Sequence, residues 1–273
     1  MAYTPIEKED YEEPRCLLCM DQGPDPIPQQ RVREKLDEYM ARRDYAGAER
    51  HLEYWLMEAL HSGDKRGEFF IRGELMGHYR KVENREKAVE NAQRALALME
   101  AMDYGQTLSA ATACINAATV YEAFGEADKA LPLFERARGI YEQSLAPDDG
   151  RLGGLYNNMG LCLLALGRFW ESWTAFQNAL AVMARVENGQ NEQAITCLNL
   201  CNLAEAERGL EEGAAAIEGY LDAAETFIND PTLPQDGYHA FVCEKCAPTF
   251  DYYGRFLTAA ELNERAKVIY ERS

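Results

Sequence analysis

The chain has 273 residues, 47% of them hydrophobic and 27% charged, enough apolar content for one continuous core. Its 46 acidic residues against 28 Lys and Arg leave a formal charge of −18, a field that repels phosphate backbones and anionic lipid surfaces, so neither nucleic acid nor membrane is an expected partner. The start MAYTPIEKED has no apolar signal core, no apolar run approaches ~18 residues, and eight cysteines fall mostly in helical stretches, which together predict a reducing, cytoplasmic setting.

Residues 1–30 form an extended acidic and proline-rich tail in this reading. Tyr3, Tyr11, the pair Cys16 and Cys19, and the prolines 24, 26 and 28 stand there without helical periodicity, and the prolines forbid a continuous helix. Such a segment is either a leader or a strap that docks on the rest of the chain through Ile6, Tyr11 and the cysteine pair.

From residue 31 onward the sequence falls into six helical hairpins, at about 31–62, 64–102, 106–145, 149–186, 190–229 and 235–273. The first places Leu36 and Tyr39 in one helix and Ala48, Leu52, Trp55 and Ala59 in the next, at i, i+4, i+7 and i+11. The same stripe returns as Ala88, Ala92, Ala95, Met99, then Ala130, Phe134, Ala137, Tyr141, then Ser172, Phe176, Ala179, Met183. The period is about 42 residues, which marks a repeat array. Turns fall at Glu83-Asn84, Gly125-Glu126 and Gly167-Arg168. A fifth copy, Gly213, Ile217, Tyr220, Ala224, is slipped by one residue, and the breaker Asn229-Asp230-Pro231-Thr232-Leu233-Pro234 follows it. The last copy is Ala259, Asn263, Ala266, Tyr270, where residues 253–273 align without a gap with 124–144.

These columns resemble the tetratricopeptide repeat: a small residue followed three on by Tyr, Leu or Phe, a turn, then Ala, a large apolar residue and Ala. The long period and helix ends such as ALPLFERARGIYEQSL are similar to the subclass found in kinesin light chains and in bacterial peptide-sensing regulators. The resemblance implies an all-α, right-handed superhelical solenoid whose first helices line a concave face that receives a peptide or protein segment. On that face Asn116, Asn158 and Asn199 share a column, with Asn157 and Asn202 beside it. An amide both donates and accepts, so such a ladder suits backbone capture of an extended peptide, though it equally suits bonds between neighbouring helices. Ile115 and Leu161, with Phe70, Leu164 and Ile195, would supply apolar pockets, while Arg80 and Lys81 would meet acidic groups. The chaperone-binding branch clamps a carboxylate with several Lys and Arg. Here only Arg80, Lys81 and Lys245 approach the required face, far apart along the chain.

A second candidate site is cysteine-based. Cys243 and Cys246 make a C-x-x-C to set beside Cys16 and Cys19, and His239 shares their helix face, a donor set able to hold zinc with the tail pinned to the last repeat. Cys243 also falls in the repeat column of Cys114 and Cys197, which core packing explains without a metal. Histidines 51, 61, 78 and 239 lie in different repeats with no nucleophile motif or phosphate-binding loop, so no enzyme is expected, and no cofactor beyond that possible zinc.

Overall fold

The computed structural model describes residues 26–272, and every regular element among them is helical. The pairs are α1 (Gln29–Ala41) with α2 (Tyr45–Ser62), α3 (Lys65–Lys81) with α4 (Arg85–Ala101), α5 (Leu108–Ala123) with α6 (Ala127–Ser144), and α7 (Gly150–Ala165) with α8 (Phe169–Met183). The long α9 (Gln190–Ile228) breaks at Gly209 and doubles back as a hairpin of its own, and α10 (Gly237–Tyr252) with α11 (Phe256–Arg272) ends the series. The result is an all-α repeat solenoid of six hairpins.

The turns explain why the hairpins repeat. Four residues beyond Tyr39, Tyr79, Tyr121, Leu163 and Phe250 stand Arg43, Glu83, Gly125, Gly167 and Gly254, all with positive φ of 55° to 83°. One left-handed residue reverses the chain, and the next often caps the second helix: Asp44 accepts from the Gly47 N–H at 2.8 Å, and Asn84 from Lys87 at 3.2 Å. In the fifth turn the left-handed residue is missing. Arg208 stays helical, and Gly209 takes φ 76° and ψ 167°, a combination open almost only to glycine. That displaced break accompanies the one-residue slip of the fifth stripe.

The first four hairpins hide their stripes, whereas in the last Asn263 and Tyr270 are exposed and Leu262 and Ile269 are buried in their place. Ala95, Phe134, Ala137 and Ala179 are fully buried, and each phenylalanine so placed contributes about 1.5–3 kcal/mol. In the fourth hairpin Gly160 admits the Phe176 ring so closely that an added Cβ would lie 2.4 Å from it. The solenoid also starts earlier than residue 31. Ile27 is buried, its N–H donates to Asp64 Oδ2 at 2.9 Å, and its side chain fills the space over Gly67, so residues 27–30 belong to the first repeat rather than to a tail. Residues 1–25, with Cys16 and Cys19, lie outside the described residues.

The hairpins wind far enough to bring distant repeats within electrostatic reach of one another. Arg43, in the first turn, acts electrostatically on the Tyr270 phenol of α11, and Lys245 of α10 acts on Glu122 of α5.

Candidate functional site

The first helix of each hairpin turns its buried stripe toward the second helix and leaves an inner row half-buried. Taking Tyr39, Tyr79, Tyr121, Leu163, Ala204 and Phe250 as the markers before each turn, counting back five residues puts Glu34, Glu74, Asn116, Asn158, Asn199 and Lys245 in one column. One residue beyond the marker stand Met40, Arg80, Glu122, Leu164, Glu205 and Asp251. The two columns run across the repeats, one residue of each per hairpin.

The structure divides the five asparagines. Asn199 Nδ2 donates to Asn157 Oδ1 at 2.9 Å, and the Thr196 hydroxyl reaches the same oxygen at 3.2 Å. Asn202 Oδ1 accepts from the Tyr253 hydroxyl at 3.2 Å. These three amides tie neighbouring helices together. Asn116 and Asn158, both half-buried, have no side-chain hydrogen-bond partner among the described residues. Ile115 and Leu161 lie half-buried one residue before Asn116 and three after Asn158. Toward the first repeats, Glu74 is already taken by Arg33 at 3.2 Å.

Glu122 is the residue that motif reasoning missed. Burial pushes its carboxyl above the ordinary value even though Arg80 and Lys245 pull the other way, and it forms no hydrogen bond or ion pair among the described residues. Arg80 and Lys245 are exposed and make no ion pair there either, so one anion and two cations stand within electrostatic reach of each other without a direct bond. Two cations 165 positions apart in sequence thus work on one carboxylate. Lys81 is turned aside, its ammonium over the Tyr45 ring at 5.5 Å to the centroid.

The cysteine candidates behave as core. Cys243, Cys246 and His239 are buried to 1% exposure or less. His239 Nδ1 donates to Asn191 Oδ1 at 2.8 Å, which leaves Nε2 to accept from the Cys243 thiol at 3.6 Å. Burial raises the Cys243 thiol and pushes that of Cys246 up to about 12, so both stay protonated. Among the described residues no three metal-ligating side chains come together. A titratable cluster forms where the Lys87 ammonium bridges Glu49 and Glu53 at 2.7 and 3.0 Å and the Tyr79 hydroxyl sits against both carboxylates. It joins α2, α3 and α4, and hydrogen bonds hold Lys87 charged.

Repeated hairpins, left-handed turns and a polar inner row define a tetratricopeptide-type helical repeat protein. No protein-family model matches the chain. The Arabidopsis thaliana protein KINESIN LIGHT CHAIN-RELATED 2 is 27% identical over 156 residues, covering 56% of this chain and 23% of that protein's length. BtubC of P. vanneervenii superposes with a TM-score of 0.63 at 17% identity, over 75% of this chain and 83% of its own. The TPR-like repeats of a protein assigned as a kinesin light chain from Podosopora anserina give 0.51 at 16% identity, over 74% and 94%. Rap protein complexed with Competence and Sporulation Factor gives 0.53 at 13% identity, over 89% and 75%. No helix among the described residues is long and apolar enough to cross a membrane.

Proposed function

We propose that this chain is a non-catalytic scaffold that holds an extended peptide or protein segment in its concave groove. The observation that carries the reading is the pair Asn116 and Asn158, whose amides have no partner among the described residues and stand in one column with Lys245. Amides so placed bond a peptide's backbone without reading its sequence, and side-chain preference comes from the groups around them. Ile115 and Leu161 take apolar side chains. Glu122 takes an amine or guanidinium, because an uncompensated half-buried carboxylate gains most from a cation, and Arg80 and Lys245 take carboxylates. The fold likeness to Rap protein, solved in complex with Competence and Sporulation Factor, supports a binding role for such a repeat array.

The test is to select binders from a random peptide library and titrate them against wild type and the double variant Asn116→Ala, Asn158→Ala. Two lost backbone bonds at about 0.5–1.5 kcal/mol each predict a roughly 5- to 150-fold weaker Kd with unchanged circular dichroism. Equal affinity for the two proteins would return these asparagines to a purely architectural role.

A further inference from the structure

Between α8 and the second half of α9 lies an open trough. Its cavity of about 540 Å³ is walled by Gln177 and Leu180 on one side and by Ala215, Ala216, Gly219, Tyr220, Ala223 and Phe227 on the other. Gln193 and Cys197 form its floor. None of these ten residues is charged, in a chain that is 27% charged. The small side chains keep it open, and nothing lies within 4 Å of where a Cβ on Gly219 would stand.

The trough has a ridge beside it. Trp170 and Trp173 precede Gln177 and Leu180 on α8 at i, i+3, i+7 and i+10, so all four share one helix face. Their indoles stack at 5.2 Å with 18° between planes, and Trp170 is 73% exposed. Equivalent positions in earlier hairpins carry Glu86 and Val89, or Asp128 and Leu131, so the aromatic pair is peculiar to this repeat.

We propose that this face is a self-association surface, in which two copies meet about a two-fold axis and the indole pair of each enters the trough of the other. A ridge alongside a trough on one surface is what an isologous interface requires, since each patch must fit itself. Charge favours the same occupant. Two molecules of formal charge −18 repel over most of their surfaces, and an uncharged patch is where a second copy approaches without setting acid against acid. A cationic partner would be drawn to the acidic surfaces instead. The indoles, 73% and 38% exposed, offer roughly 280 Å² at ~250 Å² per side chain, the core of a patch that must extend over the surrounding surface to reach the ~800 Å² per partner of a stable interface.

The full chain should sediment as a dimer that dissociates on dilution from hundreds of micromolar to micromolar. Tryptophan emission should shift to the blue on association, because Trp170 and Trp173 are two of the three tryptophans and the third, Trp55, is already buried. Gly219→Glu places a charge in the trough at a position with room for a side chain and should give a monomer at every concentration. Trp170→Ser removes the ridge from an exposed position and should do the same, which covers the case in which the glycine variant fails to fold. A wild type that is monomeric throughout overturns the proposal, even if the trough then takes a foreign helix, and so does a dimer that survives both substitutions.

Discussion

Glu122 keeps a raised carboxyl even with Arg80 and Lys245 in reach, which means that desolvation outweighs two cations. In the unfolded chain this carboxyl titrates near its ordinary value, and in the folded chain above it. Between the two the folded state holds an extra proton, so stability falls as pH rises through that window and the cost is fully present at neutrality. Glu122→Gln is therefore expected to raise Tm at neutral pH and to leave it unchanged in acid below the ordinary carboxylate range, while weakening binding of peptides that carry a cation. A lower neutral Tm for the variant would mean that the two cations, not burial, govern the group. At this scale the sequence shows the asparagine column but not its division. Asn157 and Asn199 stand one column apart, and whether their amides meet depends on the stagger between neighbouring helices, which no periodicity contains. For Glu122, a single acidic residue among 46 carries no signal until its burial is known.

At the scale of the hairpin, one turn residue decides where each second helix begins. Five turns place it in the left-handed region, and Arg43 and Glu83 occupy that region without glycine, which shows that the surrounding contacts impose it. Gly209 is different in kind, since φ 76° with ψ 167° is closed to residues with a Cβ. No atom lies within 4 Å of an added Cβ there, so Gly209→Ala isolates backbone strain from steric overlap. It is expected to cost about 1–3 kcal/mol in urea unfolding, whereas Gly167→Asn, at φ 70° in the fourth turn, should cost less, because asparagine visits the left-handed region routinely. Equal losses would mean that the fifth turn is no more strained than the others. The hairpins and their stripes are readable because alanine and aromatic spacing follows the helix period directly. Where the fifth turn breaks is not, because Arg208 at the usual turn position is as compatible with a left-handed residue as with a helix, and Arg43 shows the former.

For the whole molecule the relevant quantity is how far the array winds. Small rotations between successive hairpins accumulate, and neither composition nor repeat period states their size, so reading along the chain leaves Arg80 and Lys245 remote while the fold brings both to Glu122. The chain also carries a formal charge of −18, so its repeats repel one another as a whole. Two electrostatic effects then oppose each other as salt is added. Exposed ion pairs such as Arg33 with Glu74 and Arg168 with Glu171 weaken, but each is worth only about 0–1 kcal/mol. Repulsion of the net charge weakens too, and it acts between all repeats at once over a screening distance that shrinks to ~10 Å at about 0.1 M salt. The second effect should win. Tm is expected to rise between tens of millimolar and half-molar sodium chloride, and the radius of gyration from X-ray scattering to fall over the same range as the superhelix tightens. A Tm that drops with salt would show that the local pairs, rather than the net charge, set the stability of the wound form.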